Sequence, residues 1–299
     1  MKRSGTAKFP NSVELFKFCQ KVLSHQRGDK VHDQEIGAIL NFNPSDCSHW
    51  KRGEKNVKSV FALAKLAEVL GVEISLVHDV AGGLIGLDEA FFEYRESQSF
   101  REVVAQAGKM SQDAVTEVRG RVTRFVEALH SQSDFQTPPL YLPEVMRYFS
   151  FIKTQPIEMV DKLSRILRIR AGSYAIHFRK GDLRPQTRLS IANDIGRIIF
   201  EGERGRFPEL GTAQPDILPL EEMLFAANFL VPKAMLLSEM AKLDARKNVV
   251  AELATLFWVP KSLVGFQLQD ILRAGDRSQL EQRAAVVRPQ QARAASPTP

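Results

Sequence analysis

DQEIGAILNFNPSDCSHWK, residues 33–51, is the stretch that decides how the first part of this chain folds. Ile36, Ile39 and Leu40 recur at helical spacing behind Asp33, and NFNPS (41–45) breaks the run. A second short helix is expected from about Ser45 to Lys51. Two short helices joined by a tight turn need a small residue where they cross, and Gly37 supplies it. Four residues on, the turn needs a residue that tolerates positive φ, which Asn41 does better than any residue except glycine. The second helix then needs an inward apolar anchor. Cys47 fits, with Trp50 on the same face. Small residue, left-handed residue and apolar anchor at these spacings make a helix-turn-helix arrangement.

The flanks extend this into a helical domain. Asn11 or Ser12 can cap a preceding helix whose Leu15, Phe16, Cys19, Val22 and Leu23 share one face. RGEKN (52–56) is a loop, VKSVFALAKLAEVLG (57–71) is amphipathic, and EISLVHDV (73–80) forms a short element. AGGLIGLDE (81–89) reads as a hinge. DAVTEVRGRVTRFVEALH (113–130) has helical spacing of Val115, Val118, Val122, Phe125, Val126 and Leu129. On that reading Arg119, Arg121 and Arg124 form its solvated face. SQSDFQTPP (131–139) is a linker, PIEMVDKLSRIL (156–167) a helix, and LRIRAGSYAIHF (167–178) two strands around an Ala-Gly turn. A helix over 187–201, a long polar loop over 202–219 and about three more helices complete the chain before the tail.

The expected fold class is therefore mainly α. A five-helix domain spans 11–80, a helical connector and linker 81–139, and an α+β domain with a small sheet 140–275. The tail 276–299 has little to bury and reads as disordered. Lys and Arg number 41 against 35 Asp and Glu, a net charge of +6, which is compatible with a nucleic-acid partner. Cys19 and Cys47, the two cysteines, form no Cys-x-x-Cys and read as free thiols in a reducing cytosol. No apolar run approaches the roughly 18 residues a bilayer span needs, and no signal-peptide core follows the basic start. The expectation is a soluble cytoplasmic protein with no membrane partner.

Residues 13–80 resemble the Cro-type, or XRE, helix-turn-helix family, including the WKRGE segment after the second short helix and the closing LAKLAEVLGV helix. The resemblance implies that the start of the second helix meets base edges in double-stranded DNA. Carried onto this chain, Ser45, Asp46 and His49 would face bases, and Lys51, Arg52 and Lys55 would hold phosphates. Pro44 stands where a base-contacting Gln or Arg is common. Asp46 repels phosphate but can accept from a cytosine amino group. Lys30 and Lys58 read as plain surface charges.

Farther on, RLSIANDIGRIIF (188–200) resembles the active-site helix of ImmA/IrrE-type metallopeptidases. Their His-Glu-x-x-His places two imidazoles one turn apart on a zinc ion, with the Glu activating water. EEMLFAANFLVP (221–232) resembles the family segment that carries the third ligand, here Glu221. LATLFWVPKSLVGFQL (253–268) resembles a later helix pair, and the three blocks stand in the family's order. The departures decide the chemistry. The first His position holds Asn193, the Glu position Asp194 and the second His position Arg197, a fixed cation. The resemblance thus implies a zincin-like domain with no metal, no cofactor and no catalytic residue. Without an ion, Glu221 would be an uncompensated carboxylate, so Arg197 is expected to pair with it.

The combined expectation is a transcriptional regulator: a DNA-reading domain joined to an inactive peptidase-like domain that senses a small-molecule effector or mediates assembly. A homodimer is expected, because one recognition helix reads few base pairs. The alternatives are a metallopeptidase with an atypical site built on Asp194 and Glu221, or an antitoxin-like or phage-repressor-like interaction protein.

Overall fold

The structure, a computed structural model, describes residues 7–133, 135–159, 162–181, 184–244 and 248–273. The expected tail 276–299 lies outside the described residues. The described residues are mainly helical, with one three-stranded mixed sheet among them. It divides into two compact units, Met1–Glu96 and Ser97–Pro299.

The first unit holds α1 (Pro10–Arg27), α2 (Asp33–Ile39), α3 (Pro44–Lys51), α4 (Val60–Leu70) and α5 (Ile74–Gly82). The helix α6 (Leu87–Ala107) contains the boundary. Leu15, Phe16, Phe18, Cys19 and Val22 of α1 are fully buried among Ile36, Trp50, Leu63, Leu66 and Val77. Trp50 anchors this core. Its ring stands edge-on to Phe16 at 5.1 Å, and its indole Nε1 donates to the Ser12 carbonyl at 2.8 Å. Neither Asn11 nor Ser12 caps α1. The helix starts at Pro10, whose missing N–H costs nothing in the first turn. Ser12 is buried instead, and its hydroxyl accepts from the Val57 amide at 3.0 Å, tying α1 to the chain after α3. The short element over 73–80 is helical.

The second unit contains α7 (Gln112–Ser131), α8 (Leu142–Val145), β1 (Ile152–Ile157), β2 (Ser164–Arg170), β3 (Ser173–Arg179), α9 (Pro185–Arg197), α10 (Leu218–Leu230), α11 (Lys233–Met240), α12 (Val249–Phe257) and α13 (Lys261–Arg273). The sheet order is β1-β3-β2, with β1 parallel and β2 antiparallel to β3. β2 and β3 form the expected hairpin, and Gly172 takes the left-handed turn position at φ 67°. The helix expected over 156–167 is not formed among the described residues. Residues 156–157 belong to β1 and 164–167 to β2, because Ser164 turns inward against α9 and period-two pairing with β3 satisfies the backbone.

The core of this unit is a phenylalanine cluster. Phe125 of α7 meets Phe207 at 5.1 Å and Phe225 of α10 at 6.1 Å, and Phe225 stacks on Phe229 at 5.1 Å. α9 crosses α10 at Gly196, where an added Cβ would lie 3.0 Å from the Phe225 ring. α9 runs into a π-helical turn, Ile198–Gly202, and two 3₁₀ turns, Arg204–Arg206 and Pro208–Leu210, order the start of the expected polar loop.

The expected solvated face of α7 is a correction. Arg124 is exposed, but Arg119 and Arg121 are largely covered, with side chains only 14% and 13% exposed. Arg119 Nε lies 2.8 Å from the buried Asp270 carboxylate of α13, which Lys233 also reaches at 2.8 Å. Arg121 lies 2.9 Å from Glu221 of α10. Arginine 119 sits four residues after Val115 and arginine 121 three after Val118, so both flank the apolar stripe and reach carboxylates beyond it.

Candidate functional sites

In the first unit the crossing of α2 and α3 is set by one contact. A Cβ on Gly37 would fall 2.7 Å from the Cys47 Cβ, so only glycine allows this approach. Asn41 takes φ 56°. Asn43 caps α3, its side chain accepting from the Asp46 amide at 2.8 Å, and Pro44 fills the first helical position. Cys47 and Trp50 then point inward. Burial holds the Cys47 thiol above its ordinary pKa, and burial pushes Cys19 up to about 12, so neither is a ready thiolate.

Ser45 and His49 are exposed on the outer side of α3, and Asp46 is half-buried. The expected phosphate contacts all carry carboxylate partners. Lys55 pairs with Asp46 at 2.8 Å, Lys51 with Asp33 at 2.5 Å, and Arg52 with Glu54 at 3.0 Å. His49 Nε2 lies 3.7 Å from Glu54. The Arg52 guanidinium holds the Glu54 carboxyl below its ordinary value. Beside α3 opens a cleft of about 680 Å³ whose lining includes Lys30, His32, Gln34, Ser48 and Lys51.

In the second unit, Asn193, Asp194 and Arg197 lie on α9 and Glu221 on α10. The expected Arg197–Glu221 pair does not form, and Arg197 is exposed. Glu221 is completely buried and is held by two other arginines. Arg121 Nη2 bonds Oε1 at 2.9 Å, Arg204 Nη1 bonds the same oxygen at 3.2 Å, and Arg204 Nη2 bonds Oε2. Arg204 also donates to the Leu210 carbonyl at 3.1 Å. Distance along the helices explains the outcome: Glu221 faces α7 and the turn after α9, whereas Arg197 lies on the solvent side. Arg197 acts instead on Asp194 and Glu222, favouring their charged forms.

Asp194 is buried and accepts from Ser164 Oγ at 2.6 Å, and Ser164 lies 2.6 Å from Ser190 Oγ. Burial raises the Asp194 pKa against the opposing effects of Ser164 and Arg197. Burial raises Glu222 to about 7, again against Arg197 and with Glu201 adding to the rise. The residues do not fit a zinc ion. Glu221 has both oxygens on guanidinium groups, and Asp194 is turned to Ser164 of β2, which also meets Ser190 of α9. Among the described residues, no three His, Cys, Asp or Glu side chains come together as a metal-binding group.

Arg204 carries the site, yet nothing in GERGRFPELG separates it from Arg206. Arg206 faces outward, bonding Glu203 at 2.5 Å and covering the Phe151 ring at 4.7 Å. Arg121 had a readable signal, its position beside the apolar stripe of α7. No single helix among the described residues is long and apolar enough to cross a membrane. Neither a protein-family model, nor a characterised protein, nor a solved structure matches the chain.

Proposed function

We propose that the chain is a sequence-specific DNA-binding transcriptional regulator. Its XRE-like first unit would read double-stranded DNA, and its zincin-like second unit would be a catalytically inactive peptidase relative. The observation that carries the reading is the α2–α3 junction. Glycine against Cys47, a left-handed Asn41 and a capped α3 together set an exposed helix with Ser45 and His49 outward. Such a helix has the length and diameter to enter a major groove. Lys51, Arg52 and Lys55 flank it. Their carboxylate partners are surface groups, and exposed ion pairs contribute only about 0–1 kcal/mol, so phosphates can displace them.

In the second unit, Arg204 and Arg121 supply the positive charge that a metal supplies in the resembled peptidases. Removing both partners of such a buried pair is tolerated far better than removing one, which makes it a structural device. That favours a sensing or assembly role over an atypical metallopeptidase. A homodimer with an effector in the second unit completes the proposal.

Selection of bound duplexes from random sequence tests the DNA reading. A common motif that changes with Ser45→Ala or His49→Ala supports it. Absence of any enriched sequence, or enrichment unaltered by both substitutions, would overturn it.

A further inference from the structure

The three strands of the second unit contain Lys153, Arg165, Arg168, Arg170 and Arg179 and no Asp or Glu. Ser164 marks the side that faces α9, since its hydroxyl bonds Ser190 and Asp194 there. Alternation puts Arg165 and Leu167, and across the sheet Lys153, on the opposite side. The irregularity between Arg168 and Arg170 brings Arg170 into register with Ser173, on that same side. Lys153, Arg165 and Arg170 are exposed, and none is ion-paired with a described carboxylate. Leu167 and Ile169 stand among them at 49% and 54% exposure.

The spacing selects the partner. Arg165 and Arg170 are about 15 Å apart along β2, and Lys153 lies about 10 Å away across two strand spacings. A single small anion reaches one of them. Duplex DNA, with one phosphate charge per about 1.7 Å of axis, reaches all three. Arginine forks suit phosphate oxygens in pairs. We propose that this outer sheet face is a second, sequence-independent DNA-binding surface that grips the phosphate backbone. The inference rests on the DNA reading of the first unit, whose attachment to a duplex would hold the sheet at high local concentration beside the same polyanion.

The test uses the full chain and fluorescence anisotropy with a fluorescent random-sequence duplex and the selected duplex, from about 50 to 200 mM salt. The triple variant Lys153→Ala, Arg165→Ala, Arg170→Ala should flatten the slope of log affinity against log salt by about 2 to 3 on both duplexes. Its preference between them should stay unchanged. The charge-preserving triple variant Lys153→Arg, Arg165→Lys, Arg170→Lys should keep the wild-type slope, which separates charge from folding. An unchanged slope in the alanine variant overturns the proposal. So does polyglutamate competing as well as duplex at equal charge, which would assign the face to an acidic protein. If the wild type shows no sequence preference but the alanine variant still loses slope, the reading of α3 fails and the sheet surface stands.

Discussion

Glu221 is completely buried with guanidinium groups on both oxygens, so its substitution leaves uncompensated cations in a dry interior. Glu221→Ala should therefore cost about 3–5 kcal/mol in chemical denaturation. Arg197→Ala, an exposed change, should cost well under about 1 kcal/mol. Equal losses from the two would restore the Arg197 pairing that the geometry denies. Glu222 makes a pH prediction. Its pKa is raised from 4.5 to about 7, so its favourable contribution is present below 4.5 and is lost as pH rises through about 7. Glu222→Gln should raise the melting temperature at pH 8 and change it little at pH 5. An identical shift at both pH values would contradict the buried-carboxyl account. That Glu221 is a special position could be read from the sequence. Its partner could not, because Arg204 and Arg206 are chemically identical and only the turn after α9 sends one inward.

At the scale of elements, α2 and α3 depend on the absence of one methyl group. Gly37→Ala should force the helices apart and destabilise the first unit by about 1–3 kcal/mol, measured by thermal unfolding. Glu54 occupies Arg52 and stands beside His49. Glu54→Gln should release both and strengthen binding to random-sequence duplex several-fold at low salt, with the gain disappearing as salt rises. Weaker binding would mean that Glu54 orders the loop for DNA. Elements with strong periodicity, such as α4 and α7, were legible from spacing alone. The apolar positions of 156–167 imitate a helix, but β3 supplies the hydrogen-bond partners that make part of the segment a strand. Local spacing does not contain that partner.

Across the molecule, the two compact units each enclose their own buried side chains. Gly37→Ala and Glu221→Ala should therefore lower different transitions in calorimetry. A single transition moved equally by both would show one cooperative body. His130, half-buried against Phe229 and bonded to its carbonyl at 3.0 Å, is held by partial desolvation below its ordinary pKa of 6.5. Its favourable contribution is present above that value and is lost as pH falls below it, opposite in sign to Glu222. By itself the sequence determined the mainly helical character, the Gly37–Asn41–Cys47 junction and the unsuitability of Asn193 and Arg197 for zinc. These follow from local sterics, periodicity and side-chain chemistry, which neighbours in the chain carry. Only the tertiary structure decided that Arg204 and Arg121 meet Glu221, that Asp194 turns to Ser164, and that a basic sheet face is left exposed. Those contacts join residues 17 to 100 positions apart, and burial chooses among like charges once packing has decided which of them lose water.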